Sequence, residues 1–301
     1  MTSVNSIACN TQNSSPRSRH HVNWHEAAVC ALQIELRDYT ALLQFLTEYI
    51  LGRNSYRIDL LVIKKISGQE IPKNIARIFK RYNLFEIKGI RSSVTTAVYY
   101  KTIGYAGLFV DQISKQTPIT ALDVSITFLT FRYPRKLISH LQEERQITVA
   151  KKAKGIYHIS KETFKIQIIV THELPSDENL YLRCLTDHLL DNALIDRLTD
   201  DYTKHQQQDP EIYTKFLHQL TTANLRPKGG SFMVCEGLLN LFGTSSAEII
   251  ENTRRESDEY YLPKLNELSD ANRQLSASNA LLSSQNDRLK ALLKQNNISF
   301  E

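Results

Sequence analysis

Apolar and polar positions alternate in different rhythms along this chain, and the changes of rhythm mark its segments. Residues 1–22 are polar, rich in Ser and Asn and without period, which predicts a disordered tail. From Trp24 to Leu51, the positions Ala28, Leu32, Ile34, Leu36, Leu42, Leu43, Leu46 and Ile50 form a helical stripe. Asn23 is placed to cap this stretch, with Glu26 as its capping-box partner and Gly52 as the stop. The rhythm then tightens to Ile58-Asp59-Leu60-Leu61-Val62-Ile63, a run that reads as a buried strand broken by one charge. Gln69–Lys80 reads as a short helix, Tyr82–Lys88 as a second strand and Ser93–Ile113 as a helix capped by Ser93 or Thr95. A strand over Val124–Phe131, a helix from Pro134 to about Glu144, and strands at Ile156–Ile159 and Ile166–Val170 complete the order.

Strands and helices alternating in this way predict an α/β (α+β) core over residues 23–172, a mixed central sheet flanked by helices. After Pro175 the pattern becomes helical, and residues 173–243 are expected to form a small helical subdomain turning at Lys228-Gly229-Gly230. Residues 244–301 hold a different signal. Leu268, Leu275, Leu282 and Leu289 recur every seven residues, and Leu265, Asn272, Asn279 and Asn286 stand three positions before them. Leucine at d with asparagine at a predicts a C-terminal coiled-coil helix pairing in parallel with a second copy through residues 261–296.

Composition narrows the class without choosing a function. No apolar run reaches membrane-spanning length, and no secretory apolar core opens the chain, so the expected setting is the cytoplasm. Cys9, Cys30, Cys184 and Cys235 have no short spacing, which argues against a zinc site or a disulfide framework. The net charge of +5 conceals an asymmetry: residues 1–170 carry 24 Lys/Arg against 12 Asp/Glu, and residues 171–301 carry 13 against 20. A net +12 over the first part suits a polyanion such as DNA, although a solvated lysine face produces the same count.

The chemistry centres on the two charged strands. Alternation puts Glu86 and Lys88 on one face of their strand, and Asp59 interrupts a neighbouring apolar one. Two carboxylates converging in a buried place need a proton or a cation between them. A hard divalent ion is sufficient, with the lysine beside it to serve an attacked phosphate. A buried ion pair joining two strands is the competing reading, and it leaves one carboxylate unexplained.

Helix, strand with Asp59, strand with Glu86-Ile87-Lys88, helix, strand resembles the core of the PD-(D/E)XK nuclease superfamily, with Ile58 where the name has proline. Trp24-His25-Glu26-Ala27, Leu32–Leu36, Arg57–Lys65, Tyr100–Ala106 and Tyr133-Pro134-Arg135 are similar to a group of uncharacterised bacterial proteins of that class. The resemblance implies a phosphodiester hydrolase using Mg²⁺ or Mn²⁺. Asp59, Glu86 and the Ile87 carbonyl would be metal ligands, and Lys88 would position or activate the water. Glu35 would complete the site from the first helix, with Glu26 and Glu48 as alternatives, and Tyr100 and Lys101 would bind substrate phosphate. The expectation is therefore a metal-dependent nuclease acting on DNA as a homodimer; a non-catalytic nuclease-fold scaffold is the alternative.

Overall fold

The computed structural model describes residues 22–52, 56–66, 69–224 and 236–295. The tail ahead of Val22, with His20 and His21, and the Lys228-Gly229-Gly230 turn lie outside the described residues. Two compact units divide at Leu225.

The first unit is built on a seven-stranded mixed sheet of order β1-β2-β3-β4-β7-β6-β5. These strands are β1 (Leu43–Leu51), β2 (Tyr56–Lys64), β3 (Tyr82–Lys88), β4 (Val124–Thr130), β5 (Val149–Ala153), β6 (Ile156–Ile159) and β7 (Lys165–Val170). The hairpin β1–β2 is antiparallel, β2 pairs antiparallel with β3, and β3, β4 and β7 run parallel. Helix α2 (Thr96–Ser114) makes the crossover from β3 to β4, as a parallel pair requires. β4 is buried at all seven positions, which explains its unbroken apolar and β-branched reading. On the α2 face, Leu61, Leu84, Phe109, Ile126, Phe128 and Ile168 form the core.

Helix α1 (Trp24–Glu35) packs against β3, α4 (Leu180–Arg183) and α6 (Pro210–Asn224). Its cap is the expected one, Asn23 accepting from the Glu26 amide at 3.1 Å. The Glu26 carboxylate, however, receives the Gln219 amide at 2.8 Å. Between α5 (Asn192–His205) and α1, Arg37 forms a two-pronged pair with Asp201, both bonds 2.9 Å. These contacts bind the helices expected as a separate 173–243 subdomain into the same unit as the sheet, up to Asn224. Helix α3 (Arg135–Ser139) continues as a π-helical turn over His140–Glu144.

Three expectations are corrected. The stripe from Trp24 to Leu51 is not one helix: α1 ends at Glu35 and Leu43–Leu51 is strand β1. Leu42, Leu43, Leu46 and Ile50 suit a helical face, but Phe45, Thr47 and Tyr49 are strand formers, and Gly52 (φ 63°) turns β1 back onto β2. Gln69–Lys80 holds a single 3-10 turn at Asn74–Ala76 in place of a helix. The edge strand β5 was not anticipated, because its lysines give it no apolar alternation.

The second unit contains α7 (Glu236–Gln295), continuous through Pro263. Within it Leu275, Leu282 and Leu289 are exposed, as are Asn272, Asn279 and Asn286. No helix among the described residues is long and apolar enough to cross a membrane.

Candidate functional site

The site forms where β2 and β3 part. Their pairing runs from Ile63↔Tyr82 to Leu60↔Phe85 and stops, so Asp59 lies one step beyond the last pair, opposite Glu86. The Ile87 amide lacks a β2 carbonyl there, and Asp59 Oδ2 accepts its hydrogen bond at 2.7 Å. It is thus the amide of Ile87 that meets Asp59. A second donor comes from α1: His25 Nε2 lies 3.1 Å from Asp59 Oδ2. Both of these partners take Oδ2. Burial works against the Asp59 charge, but His25, the Ile87 amide and then Lys88 outweigh it and hold the carboxyl below its ordinary range.

Glu86 is nearly inaccessible, at 3% exposure, and its charge is met from two elements. Lys88, two positions along the same face of β3, donates to Oε1 at 2.7 Å, and Lys101 from α2 donates to the same oxygen at 3.1 Å. The Thr102 hydroxyl, next along α2, lies 3.3 Å from Oε2 and gives its shorter bond, 2.8 Å, to the Val98 carbonyl. A buried carboxylate is tolerable in this position because two ammonium groups meet it.

Glu48, expected on the first helix, lies on β1. Glu48 falls opposite Asp59 in the β1–β2 register, which pairs Thr47↔Leu60 and Tyr49↔Ile58 around it. Its backbone is left-handed (φ 51°), a conformation that costs a non-glycine residue on the order of 1 kcal/mol. Its carboxylate lies 3.6 Å from His25 Nδ1 and 3.5 Å from Arg57. His25 therefore stands between two acids. Burial opposes its protonation, yet the Asp59 hydrogen bond and charge, followed by Glu48 and Glu86, raise its pKa above the ordinary value.

Glu35 does not join the group. It ends α1 ten residues after His25, about 15 Å along the helix axis. There it accepts from Lys73 at 2.7 Å and from the Tyr181 and Leu182 amides at 2.7 and 3.3 Å, tying α1 to α4. Lys73 also donates to the Glu178 carbonyl. Glu26, turned toward Gln219, is likewise elsewhere. Of the expected substrate-binding pair, Lys101 reaches Glu86, while Tyr100 projects about 100° around α2. The Tyr100 hydroxyl takes a hydrogen bond from Arg145 at 2.8 Å and lies 2.9 Å from His140 Nε2 at the π-helical turn.

The structure thus brings Asp59, Glu86, Lys88 and Lys101 together and adds His25, Glu48 and Thr102. His25 could be found from sequence only through its place one residue after Trp24 at the helix start; Glu48 is a candidate by sequence, but on β1 and not on the helix.

Neither a protein-family model, nor a curated protein, nor a solved structure matches this chain.

The donor set bears on what ion could be held. Among the described residues there is no group of three or more His, Cys, Asp or Glu side chains arranged to hold a metal. Carboxylates such as Asp59 and Glu86 are the ligand type of Mg²⁺ or Mn²⁺, which bind through one or two carboxylates and retain several waters. They do not suit a closed zinc site.

Proposed function

We propose that this protein hydrolyses phosphodiester bonds of nucleic acid, DNA foremost, with a divalent cation held by Asp59 and Glu86. The observation that carries the reading is the placement of Asp59 and Glu86 one step beyond the last β2–β3 pair, with two lysines on Glu86. When bound, the cation would polarise the phosphoryl oxygen and acidify water.

The chain's own groups have definable parts. Lys88 and Lys101 share Glu86 Oε1, and with a cation held at Asp59 and Glu86 these two ammonium groups would be at hand for an incoming phosphate. Lys88, carried on the rigid strand, is suited to hold the attacking water. Lys101 is suited to neutralise charge on the phosphate. His25 orients Asp59 through Nε2, and the Ile87 amide restrains the same oxygen, Oδ2.

The reading extends to a homodimer. Leu275, Leu282 and Leu289 leave a seven-residue apolar row exposed on α7, which a second copy would cover, with Asn272, Asn279 and Asn286 favouring two strands in register. Two sites on one duplex would suit double-strand cleavage. Cys30 and Cys184, buried free thiols, fit a reducing compartment such as the cytoplasm.

A non-catalytic scaffold is favoured by one observation: two ammonium groups, Lys88 and Lys101, already balance the Glu86 charge. Cleavage of plasmid and linear DNA with Mg²⁺ or Mn²⁺ separates the two. Wild type should cut, and Asp59→Ala and Lys88→Ala should each reduce the rate by about 100-fold or more. Equal activity in all three, or none in any, overturns the hydrolase reading.

A further inference from the structure

The far end of the sheet carries charge that the site does not use. Residues 145–170 contain six Lys/Arg and a single acid, Glu162. That acid is engaged, 3.0 Å from the Tyr99 hydroxyl and 3.6 Å from Arg145. Lys151, Lys152, Lys154, Lys161 and Lys165 are all exposed. Among the described residues, none of the five makes an ion pair or side-chain hydrogen bond; Lys151 only lies over the Tyr157 ring, 5.8 Å from its centre. Elsewhere in the first unit Lys64, Lys65, Lys73, Lys88, Lys101, Lys115 and Lys215 have carboxylate or carbonyl partners, and the side chains of Lys80, Lys136 and Lys204, spread over three separate segments, make no such bond among the described residues.

These lysines are presented by rigid backbone. Lys151 and Lys152 sit on the edge strand β5, at a bulge in its pairing with β6. Lys154 precedes Gly155, whose φ of 75° turns the hairpin and where a Cβ would come within 2.9 Å of the Val170 carbonyl oxygen and the Leu174 nitrogen. Lys161 (φ 64°) and Lys165 bound the turn into β7. Between β5 and β7 lies His158, opposite Ala150 and Gln167. Its imidazole is kept below the ordinary value by burial and then by Lys152 and Lys165, with no carboxylate opposing them.

Lysines on an edge also discourage sheet-to-sheet aggregation. The opposite edge, β1, has no lysine. A membrane surface is a poor partner, because no large apolar side chain is exposed between residues 125 and 170 to enter it. From β3 to β5 is four strand spacings, about 19 Å, which is less than one helical turn of a duplex, about 34 Å.

We propose that the β5–β6 hairpin and the turn into β7 form a docking surface for the phosphate backbone of a nucleic acid, held by Lys151, Lys152, Lys154, Lys161 and Lys165. The choice of nucleic acid among polyanions rests on the hydrolase reading of the site; the surface itself does not.

The test is fluorescence anisotropy of labelled duplex DNA with the full chain in EDTA, so that cleavage does not enter, across a salt series. Lys151→Ala/Lys152→Ala/Lys165→Ala should weaken binding on the order of 10-fold and flatten the log–log salt slope by about 2.7, that is about 0.9 for each phosphate no longer neutralised. The matching arginine triple should keep the wild-type slope, and Lys115→Ala/Lys204→Ala/Lys215→Ala should leave it unchanged. Equal affinity and slope in the two alanine triples overturn the surface, as does binding to anionic vesicles with none to DNA. Loss of binding in the first triple alongside a wild type that never cleaves leaves the surface standing and removes the hydrolase. Unchanged binding with cleavage abolished by Asp59→Ala does the reverse.

Discussion

His25 Nε2 of α1 stands 3.1 Å from Asp59 Oδ2 of β2, so the carboxylate at the parting of the strands is held from a helix as well as from the Ile87 amide. The two groups shift each other in opposite directions, His25 upward and Asp59 downward.

That coupling has a definite sign. The raised His25 pKa means its stabilisation is complete below the ordinary histidine value and disappears as pH rises through the folded value. The lowered Asp59 pKa means its share is present above the ordinary carboxylate value and disappears as pH falls through the folded one. In metal-free protein, the His25 ring should titrate above 6.5 by NMR. In Asp59→Asn, where burial is left without its main opponent, the midpoint should drop; an unmoved midpoint would refute the pairing.

Glu35 should matter to folding and not to the site. Glu35→Ala strands two amides and removes the partner of half-buried Lys73, so unfolding free energy should fall by about 3 kcal/mol. Denaturant melts would measure this, while Mn²⁺ affinity by calorimetry should stay at the wild-type value.

Cation binding should itself be visible as stability. Mg²⁺ at 100 times its dissociation constant adds about 2.7 kcal/mol to the folded state. A thermal shift with Mg²⁺ should appear in wild type and vanish in Asp59→Asn. A shift of equal size in both proteins would place the ion elsewhere.

For α7, the exposed leucine row should control association. Leu282→Asp in the full chain should turn a dimer into a monomer by sedimentation equilibrium, and Asn279→Leu should stabilise association while relaxing its two-strand preference. A mass unaltered by Leu282→Asp would exclude the zipper as the interface.

Local patterns were legible in the residues themselves. Asn23 and Thr95 cap their helices as expected, because a cap needs only a side chain and an amide three positions on. Strands β2, β3 and β4 were visible because both their faces are buried, and Glu86 with Lys88 because alternation along one strand puts them on one face. Tertiary structure alone decided the rest. Leu43–Leu51 became a strand because β2 lay available to pair with it, and this carried Glu48 to Asp59. Glu35 went to α4 and His25 to Asp59 because α1 crosses the sheet with its two ends on different neighbours, a fact about packing that no spacing records. Sequence determined which residues carry charge into the interior; only the parting of β2 from β3 determined which of those charges meet, since an ionised group is buried at tolerable cost only where folding brings it a partner.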